Sequence, residues 1–208
     1  MISEHNTVRF PSAGQDDWRV IANPLTGVRI TFLETAAETH GARIVMRMEM
    51  APGSRVAPEL HTKFTETHEV LEGTLSLAAG GEMNSLTPGH AVSIPPRTVH
   101  ALHNGSTAPV ILRVIMNPGS EAECGLRAYF GLARDGLVTP AGMPKNLFIG
   151  ALVLHRSGTY FPPLPILLSQ ITFGALAVVG RLIGGPKTIA RYCEPPSPTD
   201  GTMPPPNR

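Results

Sequence analysis

Between Gly27 and Met116 the apolar residues come in short runs, several of them alternating with polar ones. In Ala42–Met50, Ile44, Met46, Met48 and Met50 alternate with Arg43, Val45, Arg47 and Glu49, the period-two signature of a half-buried strand. Val28–Leu33, His68–Leu71, Thr74–Ala78, Ala91–Ile94, Ala101–His103 and Val110–Met116 read as further strands. Turn residues separate them, at Pro52-Gly53, Glu72-Gly73, Gly80-Gly81, Pro88-Gly89, Pro95-Pro96 and Asn104-Gly105. Short strands, frequent Gly and Pro turns and no helical period predict an all-β sandwich or barrel over residues 26–118. The stretch before it, residues 1–25, reads as an arm in which Phe10 and Trp18 cover one mouth or edge of the barrel.

After Pro118 the pattern changes to that of a mostly helical extension over residues 119–193. Glu121–Leu132 has helical spacing, with Leu126, Tyr129, Phe130 and Ala133 on one side. Leu147–His155 is a short apolar run, and Pro162, Pro163 and Pro165 forbid its continuation as one helix. Ile166–Ile183 is apolar nearly all round, save for a narrow stripe of Gln170, Gly174, Ala177 and Arg181. Such a helix cannot stand alone in water. The barrel's outer face, a twin helix in a homodimer, or a peripheral membrane contact through residues 166–183 would cover it, and packing on protein in a dimer is the expectation. The Pro-rich tail, residues 194–208, is expected to be disordered.

Composition narrows the picture. With 42% hydrophobic residues in 208, the chain has material for a real core, which excludes wholesale disorder. A formal net charge of +1 leaves no global footprint for nucleic acid. The charge is uneven, however: residues 136–193 hold Lys145, Arg156, Arg181, Lys187 and Arg191 and no acid at all. Met1–Phe10 is polar and unlike the apolar stretch of a secretory signal, so a cytoplasmic location, with membrane association as the variant, is expected. Cys124 and Cys193 make neither a disulfide framework nor a thiolate metal site, and are expected to be reduced thiols.

The stretch from Gly53 to Asn104 carries the chemistry. Gly53, Glu59, His61, Glu66 and Gly73 form one spaced pattern, and Gly89, Pro95, His100 and Asn104 a second. Residues two apart on a strand face the same way, so Glu59 pairs with His61 and Glu66 with His68. In a barrel such inward positions converge on one cavity, and imidazoles with carboxylates suit a divalent transition metal. Gly73 and Gly89 permit the turns between these strands. Arg47 and Arg113 are read as solvated on an outer face, His90 as exposed in a turn and His103 as outward-facing.

These two patterns resemble those of the cupin superfamily, G-x5-H-x-H-x3-4-E-x6-G and G-x5-P-x4-H-x3-N. All spacings match, and one letter departs, Glu59 standing at the first histidine of the first pattern. The resemblance covers roughly residues 26–118 and implies a jelly-roll barrel. It also implies a single divalent ion, Fe(II) foremost and Mn, Zn, Ni or Cu as alternatives, held by His61, Glu66 and His100. Glu59 would be a fourth ligand or a general base, and His68 would line the pocket, support a ligand or simply fill the core. Met46, Met48, His68, Val70 and Leu102 are expected on the pocket wall, which suits a small, fairly apolar substrate. The superfamily spans oxygenases, non-redox cyclases and isomerases, and non-catalytic binders, so three function classes stand open, with a mononuclear metal oxygenase first.

Overall fold

The computed structural model describes residues 18–193. Phe10 and the tail 194–208, for which the sequence suggested a role and disorder, lie outside the described residues. The strands are β1 Val20–Asn23, β2 Val28–Glu34, β3 Ile44–Met50, β4 Arg55–His61, β5 Thr65–Glu72, β6 Leu75–Ala79, β7 Glu82–Leu86, β8 Ala91–Ile94, β9 His100–His103, β10 Val110–Asn117 and β11 Thr159–Tyr160. The helices are α1 Ser120–Arg134, α2 Leu147–Ser157, α3 Ile166–Leu182 and α4 Gly185–Cys193.

The strands build two antiparallel sheets, in the orders β1-β2-β3-β10-β5-β8 and β11-β4-β9-β6-β7. Alternation decides which side chains lie between them. In β3, Ile44, Met46, Met48 and Met50 are buried and Arg47 and Glu49 half-buried, while Val45, an outward position by alternation, is buried too. They join Ile30, Phe32, Leu75, Leu77, Leu112 and Val114 in one core. Gly73 and Gly89 both have positive φ, +83° and +87°, as the turns require. Arg47 pairs with Glu49 and Arg113 with Glu69 at the surface, so neither reaches the interior.

The chain leaves the barrel at Gly119, where a Cβ would sit 2.4 Å from the Arg43 carbonyl carbon, a close approach that only glycine allows. Beyond it, α1 is pinned to the barrel by Arg127, buried to 2% exposure. Its Nε donates to Glu123 Oε1 at 2.7 Å and its Nη1 to the Trp18 carbonyl at 2.6 Å. The guanidinium lies 3.5 Å from the Trp18 ring centroid and 4.0 Å from that of Phe32. The Ala36 N–H donates to Glu123 Oε2 at 2.6 Å, closing the link.

The remaining helices form a second layer. Asn146 caps α2, its Oδ1 accepting from the N–H groups of Phe148 and Ile149, and Gly158 ends the helix at φ 74°. The extension is not wholly helical. Its segment Thr159–Tyr160 returns to the barrel as β11 and pairs with His61 and Leu60 of β4.

Two expectations are corrected here. The sulfurs of Cys124 in α1 and Cys193 in α4 are joined in a disulfide, Cα atoms 4.8 Å apart, and are not free thiols. Linear spacing gave no hint, because 69 residues separate two cysteines that adjacent helices bring together. Of the stripe read from the sequence only Ala177 is buried, Gln170 and Gly174 being half-buried and Arg181 exposed. Small residues do form the packed side of α3, which lies on α2 and not on the barrel. Ser169, Ala177 and Gly180 are its buried residues, whereas Leu167, Ile171 and Leu182 are 70%, 61% and 81% exposed. A Cβ at Gly180 would meet the Phe148 carbonyl oxygen at 2.5 Å.

Candidate metal centre

The five polar residues singled out in the sequence come together between the two sheets. Glu59 and His61 lie on β4 and His100 on β9, neighbouring strands of the five-stranded sheet, with Glu59 directly opposite His100. Glu66 and His68 lie on β5 of the facing sheet. A register shift between Val56 and Glu59 brings Glu59 and His61 onto the inner side together. His61, Glu66, His68 and His100 are buried, and Glu59 keeps about a fifth of its side chain exposed, 21%, toward the cavity.

Glu66 is the hub. Its Oε2 lies 3.2 Å from His61 Nε2 and 3.2 Å from His100 Nε2, and its Oε1 lies 3.4 Å from His68 Nε2. Glu59 Oε1 stands 3.7 Å from His61 Nε2. One donor atom each from Glu59, His61 and His100 falls within 4.8 Å of the others, a group that could hold a metal ion. His68 is fully buried beside the second oxygen of Glu66 and behind the ligand cluster.

The donor set fits a cation. His100 Nδ1 donates to the Thr98 carbonyl at 3.1 Å, which leaves the Nε2 lone pair of the neutral ring aimed at the Glu66 carboxylate. A lone pair facing a carboxylate needs a proton or a metal ion between them. At His61, Nδ1 shares a hydrogen bond with Thr159 Oγ1 at 3.1 Å in which either atom can donate, while buried Nε2 has no hydrogen-bond partner although carboxylate oxygens lie close by.

The electrostatics separate the two carboxylates. Burial raises the Glu59 pKa, against the pull of His61 and His100. Burial also opposes the charge on Glu66, but His68, His100 and His61 hold its carboxyl well below the usual range. Burial disfavours the charged form of His100, yet contact with Glu66 and the nearby charge of Glu59 raise its pKa to about 9. Two carboxyl groups with pKa values pushed apart in one cleft are a known route to an acid and a base at the same pH.

A cavity of about 480 Å³ opens on the cluster, reaching Glu59, His61 and Glu66. Met48 and Leu102 line it as expected, whereas Met46, His68 and Val70 lie behind it in the barrel interior. Sequence reasoning missed what closes the other side. Tyr129 and Phe130 of α1, Val153 and Leu154 of α2, and Phe161 complete an apolar wall supplied by the extension. The Tyr129 hydroxyl donates to the Gly142 carbonyl at 2.9 Å, and burial, with the nearby Glu59 charge, raises its pKa. The inward side of the amphipathic run 121–132 was the available signal for Tyr129. Thr159 gave none, because a two-residue strand has no pattern to read.

Residues 46–116 match the family model of the cupin domain. Among curated proteins, the chain is 32% identical over 69 residues to a mannose-1-phosphate guanylyltransferase of Salmonella muenchen, covering 33% of this chain and 15% of that protein. It is 33% identical over 78 residues to quercetin 2,3-dioxygenase of Bacillus subtilis, covering 37% of this chain and 23% of that one. The chain thus spans less than a quarter of the length of either relative. Among solved structures, an RmlC-like cupin from Shewanella frigidimarina superposes with a TM-score of 0.44 at 17% identity, covering 57% of this chain and 98% of that one.

Proposed function

Because residues 46–116 form a cupin domain, we propose that this protein is a mononuclear metal-dependent enzyme of the oxygenase type, acting on a small, fairly apolar organic molecule. The observation that carries the reading is the convergence of His61, Glu66 and His100, two imidazoles and a carboxylate, beside an apolar cavity of about 480 Å³ that reaches His61 and Glu66. A two-histidine, one-carboxylate set with open positions suits Fe(II), and the local similarity to a quercetin dioxygenase points the same way. A bound divalent ion would supply a Lewis acid and, if it is iron, a site for dioxygen chemistry.

The chain's own residues do the rest. Thr98 and Thr159 fix the rings of His100 and His61, so that both Nε2 atoms point at one place. His68, beside Glu66 Oε1, is a positioning residue that holds the carboxylate from behind. Glu59 serves as a fourth ligand, or as the group that carries a proton at Oε1 on the cavity side. Met48, Leu102, Phe130 and Val153 seat the apolar body of the substrate and exclude water.

A second reading rests on Glu59. A carboxyl raised by burial and open to the cavity is suited to proton transfer, as in a non-redox cyclase or isomerase. Anaerobic reconstitution with Fe, Mn, Zn, Ni and Cu, followed by metal analysis, is the first test. One equivalent per chain is expected for wild type and none for His100→Ala, and a wild type that binds none of the five ions overturns the proposal. Dioxygen uptake on turnover of apolar candidates then favours the oxygenase, and metal-dependent turnover without uptake favours the second reading.

A further inference from the structure

The outward side of α3 is the largest feature that the proposed chemistry leaves unused. At 100° per residue, Leu167, Leu168, Ile171, Val178, Val179 and Leu182 fall on one continuous arc, opposite buried Ser169, Ala177 and Gly180. All six are exposed, from 38% at Val179 to 81% at Leu182. Leu164 before the helix and Ile183 after it extend the apolar strip, at 52% and 53% exposure. A contiguous apolar strip of this kind marks an interaction surface.

We propose that this strip lies flat on an anionic membrane surface, with α2 and the barrel on its water side. Charge chooses the occupant. The block 136–193 holds five cations and no acid. Arg156 and Arg191 pair with Glu121 and Asp135 outside it, which leaves Lys145, Arg181 and Lys187. A second copy offered through the same block would thus bring like charge against like charge, whereas anionic lipid complements it. Arg181 flanks the strip and Lys187 follows in α4; both are exposed and, among the described residues, neither carries an ion pair. Size agrees. Eight side chains fall well short of the roughly 20–30 residues a side of a stable protein interface. Geometry sets the orientation. Among the described residues no single helix is long and apolar enough to cross a membrane, and the pair that has the length and composition together, α3 with α4, is bent by 93° at the break between them. The inward side of α3 is locked on α2 at Gly180, so the helix meets lipid along its length and not end-on.

Co-sedimentation of the full chain with vesicles at low salt tests this. Wild type should pellet with phosphatidylcholine–phosphatidylglycerol vesicles and stay in solution with phosphatidylcholine alone. Ile171→Glu combined with Val178→Glu, both at exposed sites, should abolish pelleting while leaving the circular dichroism spectrum unchanged. Arg181→Gln combined with Lys187→Gln removes two cations worth on the order of 1 kcal/mol each, an expected loss of about thirtyfold in affinity. Wild type that fails to pellet with anionic vesicles overturns the proposal, as does binding unchanged in either variant. A dimer by light scattering that Ile171→Glu with Val178→Glu dissolves, with no vesicle binding, assigns the strip to a second copy and equally overturns it.

Discussion

In the barrel, Ile30, Met46, Leu112 and Val114 have no exposed surface, and Arg47 and Arg113 between them reach the outside. In α3 the residues inside are Ser169, Ala177 and Gly180, and those outside are leucines, isoleucine and valines. Both regions are apolar in sequence, yet they bury opposite classes of side chain. A sheet has two faces and alternation sorts them, so large residues go where the facing sheet awaits. A helix that must approach another closely needs small residues at the seam, and its large ones are then left to face whatever lies beyond the chain. Hydrophobicity names what must be covered, and the partner decides which side is covered.

The disulfide tests how much the helical layer depends on covalent help. In the chain-entropy picture, closing a 69-residue separation stabilises by about 4 kcal/mol. Reduction, or Cys193→Ser, should therefore lower the melting temperature read from the helical signal by on the order of 10 °C. A melt indifferent to reductant would mean that packing alone holds α1 and α4 together.

Arg127 is the joint between the two regions. Removing its guanidinium leaves Glu123 buried and uncompensated and the Trp18 carbonyl without its donor. Loss of one partner of a buried pair costs roughly 3–5 kcal/mol, so Arg127→Ala should destabilise by that amount in urea. Arg127→Met, which fills the volume but not the charge, should recover only part. A cost under 1 kcal/mol for Arg127→Ala would show that the layers are held elsewhere.

The seam of α3 sharpens the contrast most directly. Gly180→Leu must displace the Phe148 carbonyl oxygen or part the helices, with an expected cost of roughly 1–3 kcal/mol. Ile171→Gln, on the open side, should fall within about 0.5 kcal/mol of wild type. Thermal melts of the two variants side by side would invert the contrast if the isoleucine change proved the more harmful.

The barrel was legible because its signals are local. Seven strands read from alternation and turns correspond to β2, β3, β5, β6, β8, β9 and β10, and the spacing of Glu59, His61, Glu66 and His100 brought four side chains to one place. Of the other four, β1, β7 and the two-residue β11 escaped, and β4 was placed only through the Glu59–His61 spacing and not by its pattern. β1 lay in a stretch read as an arm, β4 holds Pro58 and a register shift that breaks alternation, and β7, EMNSL, is largely exposed. α4 escaped because a Gly-Gly-Pro opening reads as a turn. What the extension does for the site was hidden for another reason. The placement of Thr159 beside His61, of Tyr129 near Glu59 and of Cys124 against Cys193 depends on how layers dock, and linear spacing carries no record of that.

The smallest effect lies at the barrel's rim, where Glu38 meets Arg19 and accepts from the Thr35 N–H at 2.8 Å. The hydrogen bond from Arg19, with that from the Thr35 N–H, lowers its pKa from 4.5 to about 2. A depressed carboxyl stabilises the fold above its unfolded value and loses that contribution as pH falls from 4.5 toward 2. Both side chains are largely exposed, 42% and 47%, so solvent screening holds the gain to roughly 0.5–1 kcal/mol. Glu38→Gln should thus melt about 2 °C below wild type at neutral pH, with the gap closing as the pH is lowered through this window. A Glu38→Gln gap that persisted unchanged to the acid end would place the contribution in shape and not in charge.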